Sequence, residues 1–314
     1  MAATARTEQP STRRRGSVLS ALSNNEKVIG ILFILPSLIG FVAFFAVPAL
    51  RSVVISFYDW NLLSDAEFIG MGNYERIFAD TRFWSALGTT AVYVLWNIPL
   101  QTLLAVFIAV MLDRIQQSTW LRGLFILPWL VPNVVVAMLF LWILDPSLGI
   151  FNGFLNALGL PDQPWLRSPD QAIQSIAGIN IWRHTGYNAI LIFAGLKTIP
   201  RMLYEAAEID GASGPTRFLR ITLPLLRPVL VFVLVTSVIG SFQVFDTIAV
   251  TTGGGPAGST RTIIYYIYEQ VFERAIRMGP ATAASVVLFL ILITVTIIQM
   301  RYLRANRSDL ADYS

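Results

Sequence analysis

Long apolar stretches are the feature of this chain that most restricts its fold. Five of them contain no Asp, Glu, Lys or Arg, and they cover residues 28–50, 83–112, 123–144, 228–245 and 278–300. A sixth, residues 171–196, is interrupted only by Arg183 and His184. A helix that crosses a bilayer needs about 20 apolar residues. Charged residues make up 13% of the chain, about half the share in a soluble domain. The sequence therefore predicts an all-α integral membrane protein with six transmembrane helices.

The basic residues predict how these helices are oriented. With both termini in the cytoplasm, fifteen Lys and Arg residues fall on the cytoplasmic side and seven on the outer side. Such a bias is typical of cytoplasmic loops, which face anionic lipid. The net charge of +4 therefore indicates a lipid surface and no nucleic-acid partner. Residues 1–27 are predicted to form a disordered cytoplasmic tail, residues 28–302 the six-helix domain, and residues 303–314 a second cytoplasmic tail.

Several kinds of chemistry have no sequence signature in this chain. It has no Cys and a single His, so neither a disulfide nor a metal site built from these residues is expected. No Gly-x4-Gly-Lys-Ser/Thr run is present, and Leu196 stands before Lys197-Thr198 where such a run needs glycine. We find no arrangement of a nucleophile with a base and no pair of catalytic carboxylates. We therefore predict no catalytic residues and no cofactor bound by this chain.

The loop at residues 197–227 is the longest polar connection between predicted membrane helices on the cytoplasmic side. It predicts a helix, a turn and a second helix along the membrane surface. Glu205 and Glu208 are three residues apart and share a helical face. Ala206 and Ala207 permit close approach of a partner, and Gly211 permits a tight turn. A short exposed helix of this kind is suited to docking into a cleft of a soluble partner.

Polar residues within the apolar stretches indicate a cavity or a helix interface. Ionisable groups such as Arg183 and His184 are costly at that depth and usually face a cavity or a partner. Residues 236–246 carry Thr236, Ser237, Ser241, Gln243 and Asp246. Helix packing alone explains a single Ser or Thr. Gln243 and Asp246 are predicted to share one helix face, which packing explains less well.

The loop pattern resembles the coupling loop of bacterial ABC importer permeases. That resemblance rests on Glu205-Ala-Ala, a Gly six residues after the Glu, and Ile221-x-Leu223-Pro224. Residues 127–132, 181–188, 252–260 and 266–272 are similar to the carbohydrate branch, which contains maltose and glycerol-3-phosphate permeases. The resemblance implies the type I permease fold with a cytoplasmic coupling helix, in the bacterial cytoplasmic membrane. It also implies a second, different permease subunit, two ATPase subunits that bind ATP and Mg, and an external solute-binding protein.

The resemblance also implies two sets of functional residues. The residues implied to couple to the ATPase are Glu205, Ala206, Ala207, Asp210, Gly211, Ile221, Leu223 and Pro224. Those implied to line the substrate pathway are Trp129, Asn180, Arg183, His184, Tyr187, Ser237 and Ser241, to which we add Gln243. Trp129 and Tyr187 would stack on a sugar, whereas Asn180 and the two serines would bond its hydroxyl groups.

The preferred function is import of a sugar or oligosaccharide, and three alternatives remain. Because Arg183 is a cation, glycerol-3-phosphate or another sugar phosphate is a possible substrate. A secondary transporter would use Arg183, His184 and Asp246 as a proton relay. An integral-membrane enzyme would need a catalytic constellation, which we do not find.

Overall fold

A computed structural model describes residues 26–115, 119–273 and 276–303 of the chain. The predicted tails therefore lie outside the described residues, except that helix begins at Glu26 and ends at Leu303. The chain divides into two units, residues 1–54 and 55–314. In the first unit, α1 (Glu26–Phe41), a π-helical turn (Val42–Ala46) and α2 (Val47–Ile55) form one continuous apolar span.

The described part of the second unit consists mainly of helices and contains one short hairpin. Strands β1 (Tyr58–Asp59) and β2 (Glu67–Phe68) are antiparallel, with Tyr58 opposite Phe68. The helices are α3 (Gly72–Ala79), α4 (Thr81–Arg114), α5 (Thr119–Leu130), α6 (Asn133–Ile143), α7 (Ile150–Ala157), α8 (Ala172–Leu196), α9 (Arg201–Ile209), α10 (Gly214–Arg217), α11 (Leu223–Leu225), α12 (Arg227–Phe242), α13 (Asp246–Thr251), α14 (Ile263–Tyr268) and α15 (Met278–Leu303). Shorter turns lie at Trp165–Arg167, Phe218–Thr222 and Glu269–Glu273.

Most of the predicted membrane helices meet the length and apolarity of a span. In the described part of the chain, Ile29–Ile55, Thr81–Arg114, Arg227–Thr251 and Met278–Tyr302 do so as they stand. Helices α5 and α6 do so only as a pair, and they are bent by 92° at their junction. The sequence predicts one membrane helix over residues 123–144, whereas the structure has two helices, α5 and α6, with a sharp bend between them. Pro132 lacks the N–H that would continue the helix, and its ψ of 141° turns the chain away.

Helix α8 is the central element of the second unit. Its 25 residues are unbroken, so it is about 37 Å long and reaches across a bilayer. Its mean hydropathy is lower than that of the other spans because it carries Arg183, His184 and several amides. Fifteen of its residues are buried, so much of the helix surface packs against protein rather than lipid. At Gly186 the neighbouring helix comes so close that a Cβ would lie 1.7 Å from the Phe125 carbonyl oxygen.

A second interruption separates α12 from α13. Residues 243–245 leave the helix, and the chain resumes as α13 at Asp246. Gln243 and Asp246 therefore do not share one helix face, contrary to the prediction from their spacing. In the described part of this unit, this break and the α5–α6 junction both contact α8.

A polar contact fastens α14 to the start of α4. Asp80 caps α4 by accepting from the Arg82 backbone N–H at 3.0 Å, and its carboxylate also accepts from the Tyr266 hydroxyl at 3.1 Å. Burial alone would raise the pKa of Asp80, but the hydrogen bonds from Arg82 outweigh it and lower the pKa. Burial, with the nearby Asp80 charge, raises the pKa of Tyr266 to about 12.

Candidate functional site

A polar cavity of about 350 Å³ lies among helices α4, α5, α6, α8, α12 and α13. Its lining is rich in amides and hydroxyl groups, with aromatic rings on one side. The lining residues are Tyr93, Asn97, Gln101, Trp129, Asn133, Asn180, His184, Tyr187, Asn188, Thr236, Ser237, Gly240, Ser241, Gln243, Val244, Phe245, Asp246 and Thr247. A cavity with these donors and acceptors suits a polyhydroxylated ligand of modest size.

The structure brings together seven of the eight residues predicted for the substrate pathway. The seven that line the cavity are Trp129, Asn180, His184, Tyr187, Ser237, Ser241 and Gln243. Arg183, the eighth, is not among the lining residues. These residues come from three helices, α5, α8 and α12, and from the connection after α12, so their proximity is a property of the fold and not of the sequence spacing.

Amide side chains outside the predicted set connect α4 and α8 to α12 in the cavity wall. Asn97 Nδ2 donates to Ser241 Oγ at 2.8 Å, and Asn188 Nδ2 donates to Ser237 Oγ at 3.2 Å. Gln101 Nε2 also points to Ser237 Oγ at 3.4 Å. Asn97 and Gln101 are four residues apart on α4, and both are uncharged polar groups inside an apolar stretch. Two amides four residues apart within an apolar stretch are the sequence signal for this part of the cavity wall, and the pattern of charged residues does not reveal it.

The two helix breaks are joined to each other by a second polar contact. Asn133, the first residue of α6, donates to Asp246 Oδ2 at 2.8 Å, at the start of α13. One residue further, Thr247 Oγ1 lies 3.3 Å from Asn180 Nδ2 of α8. Among the described residues, the buried oxygens Asn97 Oδ1 and Asn133 Oδ1 have no hydrogen-bond partner, although both side chains line the cavity.

Trp129 and Tyr187 form one aromatic wall of the cavity. Their ring centroids are 4.5 Å apart and the planes are inclined by 13°, so the two rings stack on each other. The sequence predicts two rings that each stack on a sugar. In the structure one face of each ring is covered by the other, which leaves the pair as a single platform.

His184 is held as a neutral imidazole by its two neighbours. Arg183 Nη1 lies 2.9 Å from Nε2, and the Asn180 carbonyl oxygen lies 2.9 Å from Nδ1. A guanidinium only donates and a carbonyl only accepts. Nε2 therefore accepts and Nδ1 carries the proton, which fixes the tautomer. Both ring nitrogens are occupied within the protein, so His184 presents the rest of its ring to the cavity.

The predicted coupling loop forms a compact helical turn. Helix α9 ends at Ile209, and Gly211 follows with a φ of 74°. The Gly211 N–H donates to the Glu208 carbonyl at 3.0 Å, and the Ala212 N–H donates to the Ala207 carbonyl at 2.8 Å. These two bonds are the Schellman arrangement that ends a helix on a left-handed residue. The predicted tight turn at Gly211 is confirmed.

The loop is tied internally and exposes one apolar surface. Tyr204 Oη lies 2.9 Å from Thr222 Oγ1, and Arg217 pairs with Glu208 at 3.3 Å. Beyond these contacts α9 is solvent-accessible along its length, and none of its residues is buried. The side chains that project from the loop include Met202, Ile209 and Leu219, of which Ile209 is 87% exposed.

The C-terminal part of the loop differs from its prediction. The sequence predicts that Leu223-Pro224 marks the restart of the membrane helix. In the structure a π-helical turn (Phe218–Thr222) runs directly into α11, which contains both residues, and α12 begins at Arg227. Of the eight predicted coupling residues, Glu205, Ala206, Ala207, Asp210 and Gly211 lie together at α9 and its cap, whereas Ile221, Leu223 and Pro224 lie on the returning segment.

Apolar spans that surround a polar cavity, with an exposed helical loop between two of them, define a membrane transport permease as a class. The family model for the binding-protein-dependent transport system inner membrane component matches residues 101–308. The chain belongs to this family of ABC transporter permeases. The matched region includes most of the cavity lining and the whole of the loop.

Curated relatives match over nearly the whole chain. The sulfoquinovosyl glycerol transport system permease protein SmoG of Agrobacterium fabrum is 34% identical over 91% of this chain and 93% of its own length. The trehalose/maltose transport system permease protein MalF of Thermococcus litoralis is 34% identical over 93% and 99%. The sn-glycerol-3-phosphate transport system permease protein UgpA of Agrobacterium fabrum is 32% identical over 88% and 94%.

A solved structure shares the fold. The crystal structure of a bacterial ABC transporter involved in the import of the acidic polysaccharide alginate contains a chain with a TM-score of 0.75 and 24% identity. The match covers 93% of this chain and 99% of that one. This likeness confirms the predicted ABC importer permease fold.

Proposed function

We propose that this chain is the permease subunit of an ATP-driven importer and forms half of the path for a neutral sugar or oligosaccharide. The observation that carries the proposal is the cavity itself, in which amides and hydroxyl groups face a stacked Trp129–Tyr187 platform. Sugars present hydroxyl groups at their edges and C–H groups on their faces, and this wall offers a partner for each. The names of the SmoG and MalF relatives support a carbohydrate substrate.

The charge of the lining favours an uncharged ligand over a sugar phosphate. Arg183 directs its guanidinium to backbone carbonyls and to His184, so it offers no anion site to the cavity. Asp246 is the charged side chain among the described lining residues, and its sign would repel a phosphate. Glycerol-3-phosphate stays as the second candidate because the UgpA relative is named for it.

The partners and orientation follow from the same proposal. A second, different permease would complete the path, and two ATPase subunits would hold ATP and Mg. An external binding protein would deliver the sugar. The exposed face of α9, with Met202 and Ile209, supports a docking role for the loop on the cytoplasmic side. With the loop in the cytoplasm, both termini would lie there as well, and the chain would reside in the bacterial inner membrane. The partner ATPase subunits would carry out ATP hydrolysis.

A proton-coupled secondary transporter is less well supported. Both His184 nitrogens are engaged, and Asp246 accepts from Asn133. A relay through these groups would first have to break those bonds. Membership of a binding-protein-dependent family also favours an ATP-driven mechanism.

The test is ATP hydrolysis by the purified complex in lipid, with its binding protein and a panel of neutral sugars plus glycerol-3-phosphate. We expect one neutral sugar to stimulate hydrolysis, and substitution of the exposed Glu205 by Ala to reduce that stimulation. Stimulation by glycerol-3-phosphate alone would replace the neutral-sugar proposal. If hydrolysis does not respond and a protonophore abolishes uptake, the secondary transporter is correct.

A change at Trp129 is expected to weaken handling of the sugar. Trp129→Ala removes half of the aromatic platform, and such a stacking contact contributes about 1 kcal/mol beyond its buried area. Uptake at limiting sugar in proteoliposomes should fall about fivefold. Trp142→Ala is the matched control because Trp142 is 57% exposed on α6 and does not line the cavity. Equal uptake by the two variants would remove the platform from the proposed site.

A further inference from the structure

We propose that Arg183 is a positioning residue, whose guanidinium holds the broken end of α5 and thereby fixes the Trp129 platform at the cavity. The sequence suggests a ligand-binding role for this cation, and the geometry points to a different one. The consequence for transport rests on the proposed sugar function. The structural part does not, because the shape of the α5–α6 junction is measurable without any substrate.

The junction leaves backbone carbonyls that need partners. The last carbonyls of any helix have no intrahelical donor. At this junction Pro132 removes one further N–H, and the chain turns by 92° instead of continuing. An unpaired carbonyl is costly within a bilayer, so a break in a membrane helix persists only where another group satisfies it. Water inside the cavity or a side chain from a neighbouring helix can do so.

Arg183 is that side chain in this structure. Its Nη2 lies 3.2 Å from the Trp129 carbonyl oxygen and 3.1 Å from the Val131 carbonyl oxygen. Its Nε lies 3.3 Å from the same Val131 oxygen. The remaining nitrogen, Nη1, is directed to His184 Nε2 at 2.9 Å. A cation at the carboxyl end of a helix also interacts favourably with the helix dipole.

The guanidinium is oriented by what surrounds it. His184 is itself fixed by the Asn180 carbonyl, at 2.9 Å from Nδ1, and therefore holds Nη1 from the other side. The planar fork of arginine can serve three acceptors at once, which the single ammonium of lysine does with much less geometric definition. This difference makes Arg183→Lys an informative variant.

Trp129 is thus held at two points by one face of α8. Arg183 binds its carbonyl, and Tyr187, four residues further along α8, stacks on its ring at 4.5 Å. Residues four apart lie one above the other on a helix face. Without the hydrogen bond from Arg183 to the Trp129 carbonyl, the angle between α5 and α6 is free to open, and the Trp129 ring leaves the cavity wall.

The junction angle can be measured directly by spin labelling because this chain contains no Cys. Trp120→Cys on α5 and Leu141→Cys on α6 would carry nitroxides in a complex whose partner chains have been freed of reactive Cys. Two arms at right angles place the labelled backbone positions about 20 Å apart, whereas a straight helix places them about 32 Å apart. Double electron–electron resonance resolves this difference.

We expect Arg183→Met to move or broaden the distance distribution by about 5 Å or more toward the longer value. Arg183→Lys should restore most of the parental distribution, a rescue that a general loss of packing would not produce. Arg76→Met is the control, since Arg76 pairs with the exposed Asp59 away from the junction, and its distribution should match the parent. In the same membranes, sugar uptake should fall severalfold for Arg183→Met with Arg183→Lys intermediate.

Each result decides between roles. A parental distribution in Arg183→Met overturns the positioning role, even if uptake falls. A shifted distribution with normal uptake of every sugar tested supports the positioning role and contradicts the placement of the platform in the sugar path. If Arg183→Met does not assemble, Arg183→Gln, which keeps a donor but loses the guanidinium fork, is compared with the parent: a longer or broader distribution supports the proposal, and a parental distribution overturns it.

Discussion

Gly186→Ala is expected to cause the largest loss of stability of any single methyl addition in α8. The added Cβ would lie 1.7 Å from the Phe125 carbonyl oxygen and 2.6 Å from its carbon, both backbone atoms that no rotamer change can move. Helices α5 and α8 would have to separate by more than 1 Å. Overpacking in a well-packed core costs about 1–3 kcal/mol and more where backbone is displaced. We therefore expect a loss of about 3 kcal/mol or more, measured as the melting temperature of the purified complex.

Gly178→Ala is the matched control on the same helix. A Cβ at Gly178 meets nothing within 4 Å, and alanine favours helix over glycine by about 1 kcal/mol. This variant should keep or slightly raise the melting temperature. The close approach of α5 to α8 would be disproved if both variants melted at the parental temperature.

Gly211→Ala is expected to uncouple ATP hydrolysis from uptake while the protein stays in the membrane. Gly211 has a φ of 74°, where a residue with a Cβ is disfavoured by about 1–2 kcal/mol. The strain would loosen the helix end that orients Glu205 and the exposed Ile209. We expect sugar uptake by reconstituted complex to fall about tenfold. ATP hydrolysis without sugar should change little, because the proposed ATPase subunits would carry out that reaction.

Gly214→Ala lies three residues away in the same loop and separates this effect from a general loss of loop structure. Gly214 has an ordinary φ, and a Cβ there meets nothing within 4 Å. Its uptake should match the parent. Parental uptake by Gly211→Ala would remove the loop from the coupling role, provided that membrane levels of both variants are equal.

The sequence predicts the spans well because hydropathy and length decide them. The apolar stretches recur as helices of the expected length, and the break in residues 123–144 was the main difference. Its signal is ambiguous, since membrane helices tolerate proline. Pro99 lies inside the unbroken α4, whereas Pro132 ends a helix. At the Pro132 break a partner for the freed carbonyls is Arg183, which is 51 residues away from Pro132.

The cavity was predicted in part. Ser237 and Ser241 were found through the resemblance to sugar permeases, and both lie on the wall. Asn97 and Gln101 were missed because they lie on a different helix, whose pairing with α12 no local pattern reveals. Arg183, which the resemblance implies to line the pathway, is not among the lining residues, and its role stays a prediction. A buried cation indicates that something nearby accepts its hydrogen bonds, but the sequence does not say whether the acceptor is a ligand or the backbone.

The unbroken course of α8 has a mechanical consequence. Tyr187 on the cavity wall and Leu196 at the end of the helix are about 14 Å apart along the helix axis. The helix between them has no break. A displacement of the loop that begins at Lys197 would therefore be transmitted along α8 to the cavity wall. The two interrupted pairs, α5–α6 and α12–α13, lack this continuity, and side-chain contacts such as that of Asn133 with Asp246 join them at their breaks. Movement of the loop would therefore reach Tyr187 through an unbroken helix, but would reach the rest of the cavity wall only through side-chain contacts.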